Sequence, residues 1–148
     1  MGNLKTELII LVAFVLCVNM AYSQIDYTKA KPLAYIMYED ADGNVQKYFG
    51  LGKAIKKQDL LNSTGIGASL FDADGLELGV NYRIISFQTQ IVGVMSNVEL
   101  SNGNQFSDKQ KAQIKAMTRG VKFFIMRIIT RSPDGLDRIL PPIEVIIK

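Results

Sequence analysis

Histidine and tryptophan are absent from this 148-residue chain, and there is a single cysteine, Cys17. Without an imidazole base, neither a Ser-His-Asp nor a Cys-His nucleophile can be assembled. A zinc site built on cysteine and histidine is excluded on the same ground. Cys17 lies in a segment that reads as a removable leader, so the mature chain is expected to carry no thiol and no disulfide. Its stability must then come from a packed core. Long basic runs are also missing: the net charge is +3 and the charges are interspersed. Phosphate binding needs a concentrated basic stripe, so nucleic acid is not an expected partner. What is abundant is apolar: 48% of the residues are hydrophobic, which argues against disorder.

The leader is the clearest local signal. Lys5 and the free amine give a thin positive start, weakened by Glu7, and Leu8 to Val18 is an unbroken apolar run. That run is shorter than the roughly 20 residues a bilayer span needs. Ala21-Tyr22-Ser23 follows, with small residues at its first and third places, the pattern a signal peptidase reads. Cleavage is expected after Ser23, leaving Gln24 first; the alternative is an uncleaved anchor. A lipoprotein site at Cys17 is disfavoured because Leu16 precedes it where a small residue belongs. The organisation read from this is a signal peptide over 1–23, a polar extended segment over 24–32, and one domain over 33–148. About 125 residues is the usual size of a single domain.

Most of that domain reads as strands. Leu33–Tyr38 and Val45–Phe49 are rich in strand formers and flank the turn composition Glu39-Asp-Ala-Asp-Gly-Asn44, so a hairpin is expected. Lys57–Asn62 reads as one or two helical turns with Leu60 and Leu61 facing the core. Gly79–Val94 is the longest strand candidate, and its alternation changes phase midway. Val80, Tyr82 and Ile84 share one face, while Ile85, Phe87 and Ile91 share the other. A bulge, or a strand passing between two sheets, produces such a change. Ser107–Met117 is the best helix, opened by the S-x-x-Q capping box of Ser107 and Gln110. Val121–Thr130 is too apolar to alternate cleanly and reads as a central strand covered on both faces. Pro133-Asp134-Gly135 makes a tight turn, and Ile143–Ile147 is a last strand preceded by Pro141 and Pro142. Six or seven strands with one helix suggest a single sandwich.

Chemical motifs are weak. Asp-Ala-Asp-Gly occurs at Asp40–Gly43 and again at Asp72–Gly75. A calcium loop of the EF-hand type wants its glycine at position six and a glutamate at twelve, so turn chemistry is the better reading. Gly50-Leu51-Gly52-Lys53 is a fragment of a phosphate loop that lacks the upstream glycine, with Ala54 where a hydroxyl is needed. Glu39, Asp40, Asp42, Asp72, Asp74 and Glu77 are a pool of carboxylates from which no spacing selects a hydrolytic pair. No metal and no cofactor is expected. Lys53, Lys56 and Lys57, and Arg127, Arg131 and Arg138, read first as a solubilising surface and second as a rim that steers an acidic partner. Asn62-Ser63-Thr64 is a glycosylation sequon, relevant only in a eukaryotic secretory pathway.

Several segments, in order, resemble one family. They are Lys57-Gln-Asp-Leu-Leu61, Ile66-Gly-Ala-Ser-Leu70, Tyr82-Arg-Ile-Ile-Ser-Phe87, Phe106 to Lys115, Thr118 to Ile125, Pro133-Asp-Gly135 and Leu140-Pro-Pro-Ile143. Together they resemble the C-terminal domain of the GldM/PorM family of Bacteroidota gliding motility and type IX secretion, over roughly Lys53 to Lys148. The resemblance implies a mainly β, immunoglobulin-like antiparallel β-sandwich with one or two short helices, located in the periplasm. It further implies that the domain engages a periplasmic or outer-membrane-associated protein. Family members carry a membrane helix and further domains ahead of this one. A leader running almost directly into the terminal domain is expected to lack the motor-coupling segment.

The expected function is therefore an exported, non-catalytic protein-interaction module, periplasmic or secreted after cleavage and not stably inserted in a membrane. A homo-oligomer remains open. Arg131, Asp134 and Arg138 on the C-terminal hairpin are the expected contact residues, since loops at sandwich ends commonly bind and arginine is enriched at interfaces. Two alternatives are carried. One is a glycan- or surface-binding domain, favoured if Tyr35, Tyr38 and Tyr48 form an exposed patch. The other is a carboxylate hydrolase, which needs two acids converging in a cleft.

Overall fold

The computed structural model describes residues 27–93 and 98–148. The expected cleavage residues Ala21, Ser23 and Gln24 lie outside them. The chain forms two sheets packed face to face, as expected for a β-sandwich. The first has the order β2-β1-β4-β5, made of β1 (Lys31–Glu39), β2 (Val45–Tyr48), β4 (Gly65–Phe71) and β5 (Glu77–Asn81). The second has the order β3-β10-β8-β6-β7, made of β3 (Ala54–Ile55), β10 (Ile143–Ile147), β8 (Lys122–Arg131), β6 (Arg83–Ile91) and β7 (Val98–Asn102), with β9 (Asp137–Leu140) also paired to β8. Every pair is antiparallel except β3 with β10. Two helices, α1 (Lys57–Leu61) and α2 (Asp108–Ala116), pack on each other. The two helices agree with the one or two expected, whereas ten strands among the described residues exceed the six or seven expected. The excess comes from short strands, and from long runs that the fold divides.

Gly79–Val94 is such a run. It is two strands, β5 in the first sheet and β6 in the second, with Tyr82 at the crossing. A bulge follows between Ile84 and Ser86. Both causes considered for the phase change therefore operate. The bulge has a packing result: Ile84 and Phe87 are both buried although three residues apart, while Ile85 is half-exposed. On β8 the positive-φ residue Arg127 (φ 46°) does the same for Ile125 and Ile128, which are both fully buried. The two irregularities offset each other, so the β6–β8 register is unchanged beyond them.

Hairpins β1–β2, β4–β5 and β8–β9 share one loop design. Asp40, Asp72 and Ser132 each exchange backbone bonds with residues three and four positions on: Gly43 N–H donates to Asp40 O, Gly75 N–H to Asp72 O and Gly135 N–H to Ser132 O, at 3.0, 3.2 and 2.9 Å. The three glycines have φ between 80° and 84°, a conformation costly for any residue with a Cβ. This is a type I turn followed by a glycine bulge.

Inner faces of the two sheets supply the core. Ile36 and Ile66 from the first sheet meet Phe87, Phe123, Ile125, Ile128 and Val145 from the second, all essentially without solvent contact. Leu60 of α1 and Ile114 of α2 join them. As expected, Ser107 caps α2: its hydroxyl accepts from Gln110 N–H (3.3 Å) and Gln110 Oε1 accepts from Ser107 N–H (2.9 Å). Gln110 is itself fully buried and donates from Nε2 to Glu99 O (3.0 Å), which ties α2 to β7. Lys57 donates to Lys115 O and Met117 O at the C-terminal end of α2, where a cation complements the helix dipole.

Tyr48 joins the sheets. It is a buried residue of β2 whose hydroxyl donates to Lys53 O (2.6 Å) and lies 3.3 Å from Glu144 O and 3.4 Å from Ile146 N. On the outer face of the first sheet, Tyr35, Phe49 and Phe71 pack as a small aromatic cluster with ring centroids 5.4 to 6.4 Å apart. Tyr35 lies flat across Gly67, where a Cβ would sit 2.5 Å from its ring. Lys47 Nζ stands 4.4 Å above the same ring and pairs with Glu77 at 2.5 Å.

Candidate interaction surface

The three expected contact residues converge at the tip of the β8–β9 hairpin, but not as free charges. Arg131 makes a two-point pair with Asp137, Nε–Oδ1 at 2.7 Å and Nη2–Oδ2 at 3.2 Å. Arg138 Nη2 reaches Asp134 Oδ2 at 3.2 Å, and Asp134 also bonds the Ser132 hydroxyl and Leu136 N–H. The Ser132 bond and the Leu136 amide hold the Asp134 carboxyl below its ordinary range, and the arginine adds to this. Asp137 is lowered by Arg131, whose guanidinium is raised in return. Two cations and two anions cancel, so this tip is no positive rim. The register also separates the arginines: Arg131 lies opposite Asp137 and Arg138 opposite the buried Thr130, which puts them on opposite faces of the hairpin.

The other sequence-level candidates resolve into structural roles. Asp40 Oδ1 accepts from Asp42 N–H (3.0 Å) and Asn44 N–H (2.9 Å); Asp72 Oδ1 accepts from Asp74 N–H (2.9 Å) and Leu76 N–H (2.8 Å). The repeated Asp-Ala-Asp-Gly is thus turn chemistry. Among the described residues no cluster of three acids, histidines or cysteines is placed to hold a metal ion. Tyr35 and Tyr48 are buried, and Tyr38 packs against the core, so the exposed tyrosine patch that favours a glycan is not formed. Asp40 and Asp72 are taken up by their turns, and Glu77 and Glu144 by ion pairs with Lys47 and Lys122.

A different surface is open. The expectation that Val121–Thr130 is covered on both faces is corrected: Phe123, Ile125, Ile128 and Thr130 are buried, but Phe124, Met126 and Ile129 on the other face are only half-buried. Across one ladder Ile129 continues into Ile139 of β9, 73% exposed; across the other, β6 sets Ser86, Gln88 and Gln90 opposite Ile129, Met126 and Phe124, so a polar row separates them from Leu100 and Val98 of β7. The second sheet therefore presents an apolar patch on the outer face of β8 and β9, bordered by the polar row of β6 on one side and by Glu144 of β10 on the other. Arg131 and Asp137 lie at its rim, on the same face as Ile129 and Ile139. The signal was present in the sequence: an apolar run with no alternation, in a chain with too few helices to cover both sides of it.

Residues 31–148 match the family model described as the GldM C-terminal domain. No curated protein matches the chain.

Proposed function

Because the chain belongs to the GldM C-terminal domain family of the gliding-motility and type IX secretion machinery, we propose that it is an exported, non-catalytic module that docks on a protein of that assembly through the open face of its second sheet. The domain is periplasmic in that family, and among the described residues no helix is long and apolar enough to cross a membrane. The single observation that carries the reading is the apolar outer face of Phe124, Met126, Ile129 and Ile139. Exposed apolar surface of this kind, rimmed by charge, marks protein-interaction sites. Arg131 and Asp137 supply the rim, whereas Asp134 and Arg138 hold the turn that presents it.

The test is capture. The exported chain, purified from periplasm and immobilised, is exposed to periplasmic and outer-membrane extract of the source cells. A component of the secretion ring is expected to be retained. Met126→Lys with Ile139→Lys is expected to cut retention about tenfold, since desolvated apolar anchors dominate interface energies. Arg131→Glu with Arg138→Glu is expected to weaken it less, with most of the loss from Arg131. Retention of no ring component by the folded protein, or full retention by the folded Met126/Ile139 variant, defeats the proposal.

A further inference from the structure

The seam between the sheets is open where the chain crosses from one to the other. β5 runs beside β4 only as far as Asn81, and the last bond of the crossing chain to β4 is Tyr82 N–H to Ala68 O (2.9 Å). The loop after β7 meets the same edge further back, where Ile66 N–H donates to Asn104 O (2.7 Å). Between these two bonds lies a cavity of about 400 Å³, lined by Ile66, Gly67, Ala68, Asn81, Arg83 and Asn104 among others. That volume is in the range of small-ligand sites.

The backbone sets the shape that fits. In a strand the N–H and C=O of one residue point to the same edge, and alternate residues share an edge. Ile66 and Ala68 therefore both face the cavity. Ile66 uses its N–H on Asn104, and Ala68 uses its C=O on Tyr82. Ile66 C=O and Ala68 N–H remain, on either side of Gly67, in a stretch that β5 has already left. An acceptor and a donor so placed match one residue of a parallel strand, whose N–H meets the first and whose carbonyl or carboxyl oxygen meets the second. Tyr82 closes the edge just beyond Ala68, so a chain running that way must end there.

Charge agrees with an end. No acid lines the cavity, and Arg83, which does, is exposed. Arg131, opposite Arg83 across the β6–β8 ladder, is already paired with Asp137, and Arg83 has no ion-pair partner among the described residues. Asn81 Oδ1 accepts from the buried Ser69 hydroxyl (2.9 Å), which leaves the Asn81 amide N–H groups for a ligand oxygen.

We propose that this gap binds the C-terminal residue of a partner polypeptide. The residue's amide N–H donates to Ile66 C=O, its carboxylate accepts from Ala68 N–H and Asn81, and Arg83 supplies the counter-charge. Its side chain falls on the Gly67 face, beside the Tyr35 ring that crosses Gly67, where an apolar group packs best. The site uses no residue of the β8–β9 patch, so it does not depend on the docking reading.

The probe is a mixed library of acetylated tripeptides with free C-terminal carboxylates, titrated into the isotopically labelled exported chain and followed by amide NMR signals. The same library as C-terminal amides, and sodium acetate, are run beside it. The carboxylate library is expected to shift the Ala68 and Arg83 signals, half-saturating at a concentration about tenfold below either comparison, because a charge-assisted contact and a strand contact act together. Arg83→Gln is expected to bring the two libraries to within about twofold of each other. The Ile139 signal, in the β8–β9 patch, is expected to stay still. No shift at Ala68, an equal response to the amides, an equal response to acetate, or an undiminished preference in the folded Arg83→Gln variant overturns the inference. If that variant does not fold, the comparison of the two libraries on the parent decides alone.

Discussion

Removing one oxygen from Tyr48 tests how the two sheets are joined. Tyr48→Phe keeps the ring in the core and deletes the hydroxyl that donates to Lys53 O at 2.6 Å and lies 3.4 Å from Ile146 N. A net hydrogen bond contributes about 1 kcal/mol, and a part-buried carbonyl left unpaired adds to the loss, so the expected cost is about 1–2 kcal/mol. For a domain of this size that lowers Tm by about 4–8 °C and the urea midpoint by about 0.5–1 M. A second arm uses pH. Burial raises the Tyr48 phenol above its ordinary 10.0. The folded state thus holds a proton that the unfolded chain releases, and the stability tied to it is whole below about pH 10 and lost as pH rises through the folded value. The phenylalanine variant has no such group, so the stability gap between parent and variant is expected to narrow above pH 10. Urea melts of both proteins at pH 7 and near pH 10.5 read both effects. Equal stability at pH 7, or a gap that widens with pH, refutes the role assigned to the hydroxyl.

Three further outcomes are expected. Gly67→Ala sets a Cβ 2.5 Å from the Tyr35 ring and is expected to cost about 1–3 kcal/mol, largely recovered when Tyr35 is also shortened to leucine; a double-mutant cycle in denaturant measures the coupling. Ser107→Ala removes the helix cap and is expected to cost about 1 kcal/mol in the same assay. Asp134 and Asp137 have folded pKa values below the ordinary 3.8, so their contribution is present above that value and is lost as pH falls through the folded value; Asp134→Asn is expected to flatten the acid limb of a stability–pH profile, and an unchanged limb counts against it.

Local chemistry was the most legible layer of the sequence. The Ser107–Gln110 box, the turn at Pro133–Gly135 and the first hairpin are written in residues a few positions apart, and the structure has all three. The phase change near Ile84 was visible as well, because alternation is a local signal. What stayed hidden depends on distant partners. Nothing beside Arg131 in a sequence-only reading says that Asp137 will neutralise it across a hairpin. Nothing in Phe124-Ile-Met126 tells a strand covered twice from one covered once. Tyr35 and Tyr48 read equally as surface aromatics until Gly67 and β10 are placed beside them. Arg131, Asp134 and Arg138 stand out in the sequence because they are charged and near a turn, whereas an apolar patch spread over β8 and β9 shows only once the two strands are paired.

β1 leads the chain into the sandwich and β10 leads it out, and each is hydrogen-bonded on both flanks, β1 by β2 and β4, β10 by β3 and β8. A pull along the chain therefore cannot peel either strand from an edge one bond at a time. It must slide each past two neighbours, loading whole ladders in shear. The Tyr48 hydroxyl against β10 adds a crosswise tie near one of those ladders. Under tension the domain is expected to resist as whole ladders, a consequence of strand order that the Tyr48 tie reinforces.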